Sequence, residues 1–389
     1  PYLPLQKEGE KKEGEKNISP FEKGGLRGFK EGVKKEQENI KRAKEEKMEK
    51  GYRFSFGPWN IHTGADPFGP PVRDEFSFDE KLDIAVKLKF DGIQFHDDDI
   101  VDVNLSASEI EKKVKEVKKK LEDRNLAAEF VAPRIWEHPL TIDGTFTSND
   151  PEARKYAVER TKKAIDIANL IGTKNIVLWP AREGTYNRES KDAKSAIDRF
   201  VEYLNKVLEY DKSIKILGEM KPNEPMDSCF CPTTGHFLAI ASRAIDPERV
   251  GVLIETAHAL LAGLEPSDEM GFALSFGKLW GIHLNDQNGL KFDQDRTFGA
   301  VNPKRAFSQV YLLEKYGYGK NGEYVGLDVK VLRTQKKEVS FKHLQYSREI
   351  FLCLVDIVRS LDESKLEELR KSQDYEEIDH YITMKLLGK

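Results

Sequence analysis

The sequence holds only three cysteines in 389 residues, and so odd and sparse a set cannot supply the disulfide framework of a small secreted domain. Cys229 and Cys231 form a lone C-x-C, which would need two further soft ligands to hold zinc, and none is evident nearby in the sequence. Both are expected to be ordinary packed or loop thiols, as is Cys353 in its apolar helical run. Positive charge is not in excess either. A net charge of -4 leaves nothing to neutralise phosphates, which argues against general nucleic-acid binding. No apolar run reaches the ~20 residues of a membrane-spanning helix. The opening Pro1-Tyr-Leu-Pro-Leu-Gln-Lys lacks the apolar core of a signal peptide, so a soluble, cytoplasmic protein is expected. There is no G-x-G-x-x-G and no phosphate-loop motif.

What is present falls into three parts. Residues 1–50 carry 14 Lys or Arg against 11 Glu, with few large apolar side chains. Such a segment cannot bury enough surface to offset its ordering entropy, and a disordered, charged extension is expected. Residues 51–340 alternate short β-like runs with amphipathic stretches. The expected strands are Tyr52–Phe56, Gly92–Phe95, Ala127–Val131, Asn175–Leu178, Ile214–Leu217, Val250–Ile254, Leu279–Leu284 and Gly326–Val329. Helices are expected at Asp79–Lys89, Ser108–Arg124, Asp150–Ile171, Lys191–Leu208 and Thr234–Ala244, with Ser108 and Asp150 as caps. Eight β-α alternations in this length point to an α/β fold, a (β/α)8 TIM barrel, more than to an open doubly wound sheet. Residues 341–389 read as a short C-terminal helical arm.

In a barrel the strand ends converge on one mouth, where active sites of this fold lie. Just past the second strand comes His96-Asp-Asp-Asp99; past the fourth, Trp179; past the fifth, Glu219 and Lys221; past the sixth, Glu255 and His258. His283 and Asn285 close the seventh, Asp293 and Asp295 follow in its loop, and Asp328 lies in the eighth. Alternation along a strand sends Glu219 and Lys221 the same way. Five carboxylates, Glu219, Glu255, Asp293, Asp295 and Asp328, cannot share one mouth as bare anions. A divalent cation is the natural solution, and carboxylates with imidazoles suit Mg, Mn or Co. The spacing divides them into two sites: Glu255 bridges, with Glu219, His283 and Asp328 on one ion and His258, Asp293 and Asp295 on the other. Asp97 and Asp98 are read as loop-turn or capping groups, and Trp280 as packing.

Phe56-Gly-x-Trp59, Asp66-Pro-Phe-Gly69, Phe95-His-Asp-Asp-Asp99, Gly144-Thr-Phe-Thr-Ser-Asn-Asp150, Trp179-x-x-Arg-Glu-Gly184, Glu219-x-Lys-Pro-Asn-Glu-Pro225, Glu255-x-x-His258, Leu284-Asn285 and Phe292-Asp-Gln-Asp295 resemble, in order, the motifs of class I xylose (glucose) isomerases. The resemblance implies an aldose–ketose isomerase holding two divalent metal ions and moving a hydride between C1 and C2 of a small-molecule sugar. By it, His96, oriented by Asp99, assists ring opening, and Lys221 donates to the carbonyl end of the open chain. Trp59, Trp136 and Trp179 form the apolar walls, and Phe68 completes a neighbouring subunit's site, so a homo-oligomer, dimer or tetramer, is implied.

Three positions depart from the family pattern. His283 stands where the family has an aspartate, an arrangement resembling rhamnose isomerases, and a softer ligand favours Mn or Co over Mg. Pro180-Ala181 replaces the family's glycines, and the C-terminal arm is shorter. Other readings of the residues are an epimerase or lyase working by proton transfer at one metal, a barrel nuclease and a non-catalytic sugar or metal sensor. The acidic balance disfavours the nuclease.

Overall fold

The computed structural model describes residues 51–289 and 292–389; the expected disordered extension, residues 1–50, lies outside the described residues. Eight parallel strands close a barrel: β1 (Arg53–Phe56), β2 (Gly92–His96), β3 (Ala127–Ala132), β4 (Asn175–Leu178), β5 (Lys215–Glu219), β6 (Val250–Glu255), β7 (Leu279–Leu284) and β8 (Tyr324–Leu327). Each pairs with its neighbour in sequence, and β1 also pairs with β8 to shut the ring. This is the (β/α)8 TIM barrel that the alternation predicts. Both faces of each strand are covered, so the strands read as near-continuous apolar runs; β6 is buried along its whole length.

Helices α1 (Phe78–Lys87), α2 (Ala107–Glu122), α3 (Pro151–Ile171), α4 (Ala193–Tyr210), α5 (Thr234–Ala241), α6 (Pro266–Ser275) and α7 (Pro303–Tyr316) surround the barrel. Their starts follow local chemistry. Asp150 caps α3, accepting from the Glu152 amide, and Pro151 presets the first helical turn. At α2 the cap is Ser106, not Ser108: Ser106 and Glu109 bond reciprocally to each other's backbone amides, and Ser108 already lies inside the helix. The helix α8 (Lys342–Arg359) completes the ring, its Phe351 packed edge-on against Tyr52 and Phe54. The arm beyond it is α9 (Glu363–Ser372) and α10 (Tyr375–Leu386). No helix among the described residues is long and apolar enough to cross a membrane.

Inside the barrel, Phe130, Ala132, Val177, Leu217 and Leu253 form an apolar plug, with Trp280 packed against it. The ladder between β2 and β3 slips: Ile93 pairs with Ala128 but Phe95 pairs with Val131, so Glu129 and Phe130 together oppose Gln94. The bulge lets Glu129 bond Ser55 and Gln94 from neighbouring strands. Cys229 sits in a two-stranded antiparallel ribbon, Gly184–Thr185 with Ser228–Cys229, too short to leave a periodic signal in sequence. Cys229 and Cys231 are buried as expected, whereas Cys353 is exposed, on the solvent side of α8. An apolar run around a residue does not decide which way that residue faces.

One core contact ties the ring to the mouth. The imidazole of His343, buried in α8, donates from Nε2 to the Asn60 carbonyl at 2.9 Å. Burial lowers its pKa from 6.5 to about 4. Between these values the unfolded chain binds a proton that the folded chain does not, so folding stability falls as pH drops through that window. From pH 7 to pH 5 the loss from this group is about 2 kcal/mol. A His343→Asn variant is expected to show a correspondingly flatter dependence in urea denaturation over the same range.

Candidate metal centre and substrate cavity

The strand ends deliver the acids to one place. Glu219 ends β5, Glu255 ends β6, His283 lies in β7 beside Glu255 in the ladder, and Asp328 immediately follows β8. Ligand atoms of Glu219, Glu255, His283 and Asp328 all lie within 4.8 Å of one another. A second group, Glu255, His258 and Asp293, meets the same limit and shares Glu255. A short helix, Thr256–Leu261, carries His258 three residues past Glu255, which sets both side chains on one face. His258 Nε2 lies 3.3 Å from Glu255 Oε1 and 3.0 Å from Asp293 Oδ2.

Asp295 stands apart from both groups. Its Oδ1 accepts from Asn285 Nδ2 at 2.9 Å and its other oxygen pairs with Lys330. Its backbone passes through a positive φ of 44°, and its carboxyl lies beside that of Asp293. Asn285 spans three partners at once, donating also to Glu255 Oε1 at 2.8 Å and to the Asp328 carbonyl at 3.0 Å. Asp328 is steered in the same way, since one of its oxygens accepts from Trp59 Nε1 at 2.9 Å and from Asn60 Nδ2 at 2.7 Å. The other oxygen is left for the cluster.

The electrostatics agree with an acidic site short of cations. Burial and the surrounding charges of Asp293, Asp295, Asp328 and Glu219 push the Glu255 carboxyl well above its ordinary range. Burial opposes the imidazolium form of His283, but the Glu219 charge outweighs it and holds the pKa at about 9. Glu219 is drawn down to about 2, because the neighbouring His283 overcomes its burial. Glu255 Oε2, Asp293 Oδ1 and His258 Nδ1 are buried without hydrogen-bond partners among the described residues. Buried carboxylate oxygens seldom go unpaired, and a divalent cation is the group that would satisfy them.

The cluster floors a cavity of about 370 Å³ lined by Trp59, Trp136 and Trp179. Trp136 packs edge-on against Trp179 at 4.7 Å, and Trp59 lies 4.3 Å from the His96 ring. Lys221 reaches in between two acids, 2.9 Å from Glu224 and 3.0 Å from Asp293, and their charges hold its pKa up against burial. His96 Nδ1 lies 3.0 Å from Asp99 Oδ2, the pairing expected from sequence. Phe68 is not in this cavity. It stands 94% exposed on a loop whose carbonyls at Gly64, Gly69 and Pro70 are gripped by Arg333.

The structure adds residues that the strand-end rule missed. Arg134, two residues beyond β3, places Nη2 2.7 Å from His96 Nδ1 and 3.3 Å from Asp99 Oδ1, so two groups compete for one ring nitrogen. Past the third strand, as past the first, the sequence pattern marks no polar residue. Lys330, two beyond Asp328, and Glu224 also line the cavity. Alternation from Asp328 points to Lys330, whereas Glu224, three beyond Lys221, follows no such period. Asp97 is fully buried: its Oδ1 accepts from the Asp98 and Arg134 amides, as a capping group does, and both oxygens also pair with Arg160, which anchors α3 to the end of β2.

A closed parallel barrel with carboxylates and imidazoles gathered at the C-terminal ends of its strands defines a class of barrel whose mouth could hold a cation. The family model described as xylose isomerase-like TIM barrel matches residues 82–314, more than half of the chain, and the chain belongs to that family. Solved structures share the fold at low identity. A D-tagatose 3-epimerase-like protein is 18% identical, with a TM-score of 0.58, over 78% of this chain and 98% of that one. A xylose isomerase domain protein from Alicyclobacillus acidocaldarius subsp. acidocaldarius is 13% identical, with a TM-score of 0.54, over 80% and 100%. The IOLI protein, solved with a zinc atom, is 15% identical, with a TM-score of 0.55, over 79% and 100%.

Proposed function

We propose that the protein is a metal-dependent aldose–ketose isomerase of the class I xylose isomerase type, acting on a pentose or hexose such as xylose, glucose, rhamnose or ribose. The observation that carries this reading is the pair of carboxylate–imidazole groups sharing Glu255, set in a tryptophan-walled cavity beside a buried lysine. Glu219, Glu255, His283 and Asp328 would hold one divalent ion, and Glu255, His258 and Asp293 the other, with Asp295 supporting the second site. Bound there, such ions polarise the sugar's carbonyl and hydroxyl oxygens and lower the pKa of what they ligate. His283 in place of an acid favours Mn or Co over Mg.

The chain's own groups divide the remaining work. His96, set by Asp99 and Arg134, faces the cavity to move the proton that opens the sugar ring. Lys221 donates to the carbonyl end of the open chain, where negative charge develops. Trp59, Trp136 and Trp179 keep water from the reacting carbons, which a hydride shift between C1 and C2 requires. Phe68, held out rigidly on its loop, would enter the cavity of a second copy in a dimer or tetramer.

A proton-transfer epimerase is the second reading, favoured by the fold it shares with the D-tagatose 3-epimerase-like protein. An isotope experiment separates the two. Aldoses deuterated at C2 are offered to protein loaded in turn with Mg, Mn and Co, and the product is examined by NMR. Retention of the label at C1 is the expected result; its loss to water would overturn the hydride shift in favour of proton transfer.

A further inference from the structure

Beneath the acidic cluster lies a second polar layer, in which Ser55, Gln94 and Glu129 have no part in the proposed chemistry. Ser55 of β1, Gly326 of β8 and His283 of β7 stand side by side in register across three strands. Ser55 and Gln94 are fully buried, and Glu129 and His283 nearly so. The Gln94 amide nitrogen donates to Ser55 Oγ and to Glu129 Oε2, both at 3.1 Å. With its nitrogen held there, the amide carbonyl must face the other way. That oxygen is buried and has no partner among the described residues.

The same is true of the ring across from it. His283 Nδ1 points at the acids, 3.2 Å from Glu219 Oε1 and 3.8 Å from Glu255 Oε2, while its Nε2 is buried and without a partner among the described residues. Both groups press into the space that a side chain at position 326 would fill. A Cβ on Gly326 would lie 2.6 Å from Gln94 Nε2 and 3.2 Å from His283 Cδ2, the carbon bonded to Nε2. Glycine at that rung therefore lets the amide and the imidazole approach. One buried acceptor and one buried donor, on side chains that border the same glycine, are each left without a partner among the described residues.

We infer that Gln94, fixed by Ser55 and Glu129, is the positioning residue of His283: its carbonyl oxygen takes the imidazole Nε2–H through a single water. A neutral imidazole carries one N–H, and ligation through Nδ1 requires that hydrogen to sit on Nε2. An N–H left buried without an acceptor is destabilising, which would favour the wrong tautomer or a rotated ring. Gln94 removes that cost, and so presents the Nδ1 lone pair to the site. A carboxylate at position 283 would need no such partner. The polar layer is thus the companion of this chain's histidine ligand.

The inference rests on reading the acidic cluster as a divalent-cation site, and the test is built to fail separately from that reading. Mn²⁺ binding is measured by titration calorimetry in four proteins: wild type, Gln94→Met, His283→Asp and the double variant. Gln94→Met is expected to weaken Mn²⁺ binding about 10–100-fold in the wild-type background and to change it less than about twofold beside His283→Asp, where the tautomer no longer matters. An equal loss in both backgrounds would mean a merely structural role and overturn the proposal, as would no loss in either. If Gln94→Met does not fold, Gln94→Asn, which withdraws the carbonyl by one methylene, is expected to show the same background dependence. Should wild type bind no metal, the Nε2-bound proton of His283 is followed by NMR in metal-free protein. It is expected to exchange slowly in wild type and fast in Gln94→Met, and equal exchange would overturn the link between the two residues.

Discussion

Replacing Glu255 by glutamine is expected to reverse sign with metal. In chelator the variant melts higher than wild type, by about 2 °C, and with Mn²⁺ present it melts lower. The reason lies in the raised pKa of this carboxyl. An acid held more tightly protonated in the folded than in the unfolded chain lowers folding stability at every pH above its ordinary value of 4.5, so at pH 7 its removal relieves the metal-free fold. Glutamine keeps the acceptor for Asn285 Nδ2 and leaves that contact in place. With metal the balance turns over. Glu255 is the carboxylate common to both groups, and losing it should weaken divalent-ion binding by more than about 100-fold and turnover by about 10³-fold or more. Wild type at 100 times its dissociation constant gains about 2.7 kcal/mol of stability from one site; the variant gains almost none. Thermal melts with and without chelator, together with calorimetry, read both halves. A variant that melts lower in chelator as well would show that Glu255 serves the fold and not a cation.

Lys221→Met is expected to separate catalysis from metal binding. Turnover should fall by about 10²–10³, the effect of removing one donor aimed at developing negative charge, with KM little changed. Metal affinity should move the other way. The ammonium lies 3.0 Å from Asp293, so its removal frees that carboxylate for the second ion. The metal-free variant should also be less stable, because Asp293 is left buried beside Asp295 with one counter-charge fewer, and added Mn²⁺ should restore much of the loss. Steady-state kinetics, calorimetry and melting curves check the three signs. A lysine with only a structural role would lose metal binding and stability together, and Mn²⁺ would not rescue it.

Much of the site is legible before any coordinates because a barrel converts sequence order into space. Each strand ends at the same rim, so the residue just past a β-like run is a residue of the mouth. Glu219, Glu255, His258, His283 and Asp328 come together on that logic, and so does the sharing of Glu255 between two groups. The rule weakens with distance from a strand. Asp295 lies in a loop whose backbone passes through a left-handed turn, and it pairs with Lys330 outside either group. Arg134 escapes notice because an arginine two residues past a strand resembles any solvated charge. Its place against His96 depends on how the β3 loop folds back. Phe68 stands 94% exposed, outside its own chain's cavity, and its expected place in a neighbouring subunit's cavity is a matter of assembly and not of this chain's fold.

Composition, periodicity and the order of polar strand ends were enough to determine a parallel barrel with an acidic, histidine-bearing mouth, because these are local patterns repeated eight times. The cap of α2 at Ser106, the buried Asp97–Arg160 pair and the bulge in β3 were decided only in three dimensions. So was the layer of Ser55, Gln94 and Glu129 under His283. Those features join residues tens to hundreds of positions apart, or depend on one residue's shift in register. A buried donor's need for an acceptor acts across strands, and no pattern along the chain records which acceptor that will be.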